Sequence, residues 1–266
     1  MSKRKRILIC AAASVVGLTI YGCFFGVQTG LAFVAWRWGR QIPLTKLTPI
    51  ELSDYSISAE PGTKLSYFGY SFEVPWTDIE ESKSKGAKNL TLLHSRSGIS
   101  LLFGSSSPKS FVSYIASQTG GDSVLGANFG DATVSSDYNF YRAMLNTTPA
   151  TVSPFTSRQV AARASMLLMI KAIVVPGSSA IFSFQTSHFR GFQFGNPSAK
   201  SKSVSIRAFD DFGKVEITLE CGTNCSGNPI TQADVNRIAQ SLARVAPVIE
   251  ASPVLAAGNS KLTSSR

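Results

Sequence analysis

Ser203-Val204-Ser205-Ile206-Arg207-Ala208-Phe209-Asp210-Asp211-Phe212-Gly213-Lys214-Val215-Glu216-Ile217-Thr218-Leu219-Glu220-Cys221 is the stretch from which the fold is read. Val204, Ile206 and Ala208 alternate with Ser205 and Arg207. Val215, Ile217, Leu219 and Cys221 then alternate with Lys214, Glu216, Thr218 and Glu220. Successive side chains leave a strand on opposite faces, so this period of two predicts two strands. A loop at Asp210-Asp211-Phe212-Gly213 sets Val204 opposite Leu219, Ile206 opposite Ile217, Ala208 opposite Val215 and Arg207 opposite Glu216. A slip by one residue would turn every apolar side chain outward, so the pattern specifies its own register. One apolar face and one polar face predict an antiparallel sheet that is wet on one side.

Working outward, Phe68–Val74 alternates in the same way until Pro75 ends the ladder. Leu90–Phe103 reads as a hairpin whose Ser95-Arg96-Ser97-Gly98 loop pairs Leu92 with Leu101 and Leu90 with Phe103. Helices are predicted from Ser107-Pro108 to Gly120-Gly121, over Ser136–Asn146, and from a Thr156 or Ser157 cap to about Ile173. The centre of the third, Met166-Leu167-Leu168-Met169-Ile170, is apolar all round and predicts burial on more than one side. A closing helix starts at Thr231-Gln232-Ala233-Asp234, a capping box with Asp as its acid. It buries Val235, Ile238 and Leu242, and leaves Arg237, Gln240 and Arg244 elsewhere on the wheel. Strands, helices, strands and a helix in that order make an α+β domain, an antiparallel sheet packed by helices, over residues 64–250.

Charge is concentrated at one end. The chain of 266 residues has 26 Lys and Arg against 16 Asp and Glu, for a net charge of +10. Lys3, Arg4, Lys5, Arg6, Arg37 and Arg40 supply +6 of this within the first 40 residues, which hold no acid. Between them, Ile7–Trp36 is uncharged and exceeds the roughly 20 apolar residues that cross a bilayer. The expectation is a basic cytoplasmic N-terminus over residues 1–6 and a single transmembrane signal anchor over residues 7–36. The positive-inside rule then puts the rest of the chain outside the cell membrane. A cleaved signal peptide ending near Gly30-Leu31-Ala32 and a lipoprotein signal at Cys23 are the competing readings of the segment. Pro43, Pro49 and Pro61 predict an extended stalk over residues 37–63, and residues 251–266 read as a disordered tail.

Phe72-Glu73-Val74-Pro75-Trp76 resembles the aromatic-x-x-Pro-Trp strand that begins many proteins of the Mog1/PsbP-like fold. By element order the resemblance covers residues 64–248. Members of that fold include binding and assembly factors, so the resemblance implies a binding role and no catalytic residues.

The chain lacks the Gly-x-Ser-x-Gly, His-Glu-x-x-His and Gly-x-x-x-x-Gly-Lys-Ser/Thr signatures. His94 and His188 read as surface or rim histidines rather than general bases. Asp210-Asp211 offers too few oxygens for calcium and suits a turn. Cys221 and Cys225 have three residues between them, in a loop where Gly222 and Asn224 can reverse the chain, and read as a local disulfide or as two unlinked thiols. A zinc site would need two further ligands, and redox pairs use two intervening residues. Phe182, Phe184, Phe189, Phe192 and Phe194 build a sheet core or, with His188 and Arg190, a ligand or partner surface. Lys83, Lys85 and Lys88 read as a solvated loop.

The expected function is a membrane-anchored, extracytoplasmic, non-enzymatic module that binds a protein or envelope partner. No cofactor, metal or nucleic acid is expected. Two alternatives stand beside it. One is an exported enzyme that gathers His188, Arg190 and Asp210 or Asp211 at one sheet end; the other is a carrier of a small apolar ligand using the Phe-rich strands.

Overall fold

A computed structural model describes residue 22 and residues 25–59, 61–81, 89–176, 180–197, 203–222, 225 and 230–245. Its helices are α1 (residues 25–41), α2 (Ser110–Thr119), α3 (Asp122–Phe129), α4 (Asp131–Val134), α5 (Asp137–Asn146), α6 (Arg158–Val174) and α7 (Gln232–Ser241). The strands are β1 (Ile50–Glu51), β2 (Thr63–Tyr67), β3 (Tyr70–Val74), β4 (Ile79–Glu81), β5 (Leu90–Ser95) and β6 (Ile99–Ser106). They continue with β7 (Ile181–Gln185), β8 (Arg190–Phe194), β9 (Ser203–Phe209), β10 (Lys214–Cys221) and β11 (Ala243–Arg244). An eight-stranded sheet runs in the order β1-β7-β8-β9-β10-β6-β5-β4, and β11-β3-β2 make a second, three-stranded sheet.

The domain is α+β, but three parts of the expected architecture are corrected. No helix among the described residues is long and apolar enough to cross a membrane. Residues 25–36 of the expected span belong instead to α1, which turns Ala35 against Val152, Ala164 and Leu168 with Leu31, Ala32 and Trp38 alongside. That part of the apolar run covers α6. Residues 1–21 and the tail 251–266 lie outside the described residues. Second, the large sheet is mixed, because β1 pairs with β7 in parallel through Ile50–Phe182 and Glu51–Ser183. Third, the sheet is wet on one side only over β10, β6 and β5, where Glu220, Leu102 and His94 are exposed; over β7, β8 and β9 helices cover that face and the sheet is the middle of three layers.

Val204, Ile206 and Ala208 of β9 and Val215, Ile217 and Leu219 of β10 enter a core shared with the small sheet and α7. Phe192, Phe194 and Phe209 leave the opposite face and enter a second core with α2, α3, α5 and α6. The polar residues that alternate with the aliphatic ones are satisfied within the protein. Ser205 Oγ pairs with Thr218 Oγ1 at 3.0 Å, and Arg207 donates from Nε to Glu216 Oε1 at 3.0 Å. Burying such groups costs little once each has a partner, so a helical layer lies over them without penalty.

The β9–β10 register is the one expected, with Val204 opposite Leu219, Ile206 opposite Ile217 and Arg207 opposite Glu216. The β5–β6 hairpin differs by one residue, setting Leu93 opposite Leu101 and Leu92 opposite Leu102. The cause is a three-residue loop closed by Gly98 at φ 89°, with Ser95 Oγ accepting from Ile99 N at 3.2 Å. Leu93 rather than Leu92 is thereby buried. Phe68-Gly69 is not the start of a strand but a two-residue turn joining β2 to β3, with φ of 51° and 79°. A turn with both central φ values positive matches the twist of a tight hairpin.

The helix caps agree with local chemistry. Ser136 accepts from Asn139 N, Ser157 from Val160 N, and Thr231 with Asp234 forms a reciprocal capping box. The first predicted helix begins at Ser110 rather than Pro108, after Lys109 in the left-handed region. Buried Asp137 takes over its N-terminus, accepting from Phe111 N at 3.0 Å and Val112 N at 2.9 Å.

Residues 43–59 run along the domain rather than standing off it as a stalk, with most side chains exposed and a few contacts inward. Leu52 is buried in the first core, and Asn236 and Arg237 donate to the carbonyls of Asp54, Ser56 and Ser58. Lys171 secures the beginning of this strap. Fully buried on α6, it donates to the carbonyls of Leu47 (2.5 Å), Leu145 (2.8 Å), Thr147 (2.8 Å) and Thr45 (3.3 Å).

Candidate functional site

Two chain reversals and two strand ends meet at one end of the large sheet. The β9–β10 loop supplies Asp210, Asp211 and Phe212, the β7–β8 turn supplies Ser187, His188 and Phe189, β8 begins with Arg190, and β11 ends with Arg244. Together they line an open depression of about 360 Å³. Around Arg190 the surface continues into a smaller one of about 240 Å³ with Lys109, Ser136 and Tyr138. The β2–β3 turn borders a third, of about 390 Å³, between Phe212, Arg244 and Tyr70.

Asp210 builds the loop. Its Oδ1 accepts from Phe212 N at 2.9 Å and Gly213 N at 2.6 Å, which holds the reversal and spends that oxygen on backbone donors. A Cβ on Gly213 would stand 2.6 Å from the Ser106 carbonyl oxygen and 2.9 Å from the Tyr70 hydroxyl, so only glycine lets the loop lie this close. Tyr70 resists ionisation because burial and the Asp210 carboxylate raise its pKa, against the opposing pull of Arg244.

Two guanidiniums dominate the rim, each carried on an aromatic ring. Arg190 lies over Tyr138 at 4.2 Å, and Tyr138 in turn stacks on Phe192 at 5.6 Å. Arg244 lies over Phe212 at 3.9 Å. Among the described residues neither is in an ion pair; the pairs present are Arg96–Glu80, Arg207–Glu216 and Lys214–Glu216. A guanidinium held over a ring loses less freedom when it binds than one in open solvent.

The residues singled out from the sequence divide clearly. His188 and Arg190 reach this surface together with Asp210 and Asp211. Phe184 does not: it is buried in the first core, beside Gly191, where an added Cβ would meet its ring at 2.7 Å. Phe192 is buried in the second core, beneath Tyr138. The space beside Phe184, between Leu52, Ile206 and Ala239, amounts to about 10 Å³, hardly room for one water. His94 lies at the far end of the sheet, paired with Ser100 Oγ at 2.9 Å. That end also holds the Cys221–Cys225 disulfide, with Cα atoms 5.7 Å apart, and Gly222 N donating to Gly98 O at 3.0 Å. Lys83, Lys85 and Lys88 lie outside the described residues. Among the described residues no group of three or more His, Cys, Asp and Glu is placed to hold a metal ion.

Arg244, Phe212 and Tyr138 were not legible as site residues. Arg244 reads as part of the last helix, yet α7 stops at Ser241 and the chain straightens to pair Ala243 with Ser71 and Arg244 with Tyr70. No local signal marks this stop: Ser241 Oγ accepts from Glu73 N at 2.7 Å, a contact 168 residues away in sequence that ties the helix end to β3. Comparison with protein-family models, curated proteins and solved structures returns no match.

Proposed function

We propose that the protein is a non-enzymatic binding module that takes an acidic peptide segment of a protein partner across the sheet-end depression. The observation that carries this reading is the pair Arg190 and Arg244. Both are exposed, both lie on aromatic rings, and neither is in an ion pair among the described residues. Lys109 adds a third base; of the three acids that face them, Asp137 has both oxygens engaged by the backbone N–H groups of Phe111 and Val112, and Asp210 has one engaged by Phe212 and Gly213. Carboxylates match the guanidinium fork in two-point hydrogen bonds, and Phe212, 62% exposed, adds apolar area to the lining. The open form of the depression suits an extended segment better than an enclosed small molecule.

The enzyme reading has less support from the same geometry. Catalysis by His188 needs a partner to orient the ring and a nucleophile within hydrogen-bond reach. Among the described residues the bond at His188 is that of its backbone N–H to Thr186 Oγ1, at 3.4 Å.

Fluorescence anisotropy tests the proposal with labelled Asp/Glu-rich peptides and their Asn/Gln counterparts. The acidic peptides are expected to bind more tightly, and Arg190→Gln with Arg244→Gln to weaken them at least about tenfold. Equal affinity for acidic and amide peptides, or no loss in the double variant, overturns the reading.

A further inference from the structure

The outward face of α1 carries a second and independent surface. Its inward face is occupied: Ala35 is buried, and Leu31, Ala32 and Trp38 pack toward Val152, Ala164 and Leu168. The helix therefore cannot roll over to hide the other side. On that side Phe33, Trp36, Arg37 and Arg40 recur at the spacing of one helical stripe. Phe33 is 58% and Trp36 51% exposed, large apolar surfaces to leave in water. Their rings stand 5.8 Å apart, and the Arg40 guanidinium lies 4.3 Å over the Trp36 ring.

Charge decides what such a face fits. The first acid of the chain is Glu51, so no carboxylate of residues 1–50 offsets Arg37 and Arg40. Upstream, the sequence places four bases, Lys3–Arg6, before an uncharged run. Aromatic rings and arginines on one stripe, with basic and apolar sequence next to it, match the boundary between lipid headgroups and acyl chains. A protein partner for this face would have to supply acids to a surface that is otherwise aromatic. A second copy of the chain would bring the same positive charge and repel.

We propose that the Phe33–Trp36–Arg37–Arg40 stripe docks α1 flat on an anionic lipid surface. The two rings enter below the phosphates, and the two guanidiniums bind them. Phe155, 81% exposed on the loop that gives Val152 to the α1–α6 contact, is a further apolar group close in sequence to this contact.

The test uses the full chain with Trp38→Phe and Trp76→Phe, which leaves Trp36 as its one tryptophan. The chain is mixed with phosphatidylcholine vesicles with and without phosphatidylglycerol. Trp36 emission is expected to shift to the blue on the anionic vesicles and to be quenched by lipids brominated high on the acyl chain. Arg37→Gln with Arg40→Gln should raise the lipid concentration needed for half the shift by about tenfold or more. Unchanged Trp36 emission in a chain that still sediments with vesicles overturns the proposal, because other residues then hold it. Equal response to neutral and anionic vesicles overturns it as well. Radical footprinting of the unsubstituted chain gives the same answer if the tryptophan replacements disturb the fold: Phe33 and Trp36 must become protected on anionic vesicles.

Discussion

Arg207 donates from Nε to Glu216 Oε1 across 3.0 Å, its own side chain 9% exposed and the carboxylate 37%. The guanidinium also donates to the Tyr141 hydroxyl at 3.1 Å and to the Val174 carbonyl at 3.4 Å, and lies 5.2 Å from the Tyr141 ring centre and 5.0 Å from that of Phe194. One cross-strand pair thus joins the large sheet to α5 and to the end of α6.

Breaking this pair from the acid side should be worse than removing both charges. Glu216→Gln leaves a buried guanidinium without a counter-ion, at a cost of about 2–4 kcal/mol. Adding Arg207→Met removes the stranded charge and is expected to recover part of that loss. Urea unfolding midpoints of the two variants check the order; a double variant less stable than Glu216→Gln contradicts it.

Tyr141 governs the alkaline limit. Burial lifts its pKa from 10 to about 12, against the pull of Arg207. The folded pKa lies above the unfolded one, so the stability it confers is complete below pH 10 and is lost as pH rises through about 12. Stability measured across this window should fall less steeply in Tyr141→Phe than in the parent.

Lys171 has the opposite slope. Burial lowers its pKa from 10.5 to about 8, so between these values the unfolded chain holds a proton that the folded one has released. Stability from this group therefore rises with pH from about 8 to 10.5. The stability difference between the parent and Lys171→Met should grow across that window. At neutral pH the same substitution leaves the carbonyls of Leu47, Leu145 and Thr147 without this donor, and should cost about 2–4 kcal/mol. Hydrogen exchange should speed up first in residues 43–47, the strap that Lys171 holds.

The Cys221–Cys225 link closes a short loop, so by chain entropy it stabilises less than the roughly 3 kcal/mol of a 15-residue loop. Cys221→Ser with Cys225→Ser should shift the unfolding midpoint only slightly while loosening the contact of Gly222 N with Gly98 O. Two freely alkylated thiols in the unreduced protein would rule the link out.

Much of the local structure is legible before folding. The β9–β10 register follows from period two and loop length, and the caps at Ser136, Ser157 and Thr231 from side chains that bond their own next turn. Of the site, the sequence suggested His188, Arg190, Asp210 and Asp211 as neighbours. It concealed Arg244, because a helix end fixed by Glu73, 168 residues away, has no local marker.

By itself the sequence determined the period, register and capping of most elements, since each depends on residues a few positions apart. Only the tertiary structure decided which polar residues meet water. Arg207 and Ser205 look wet because alternation records polarity alone, and a buried polar group with internal partners has the same pattern as a solvated one. The same reason accounts for α1. An apolar run shows that a surface must be covered, and whether lipid or α6 covers it depends on Ala164 and Leu168, more than a hundred residues downstream.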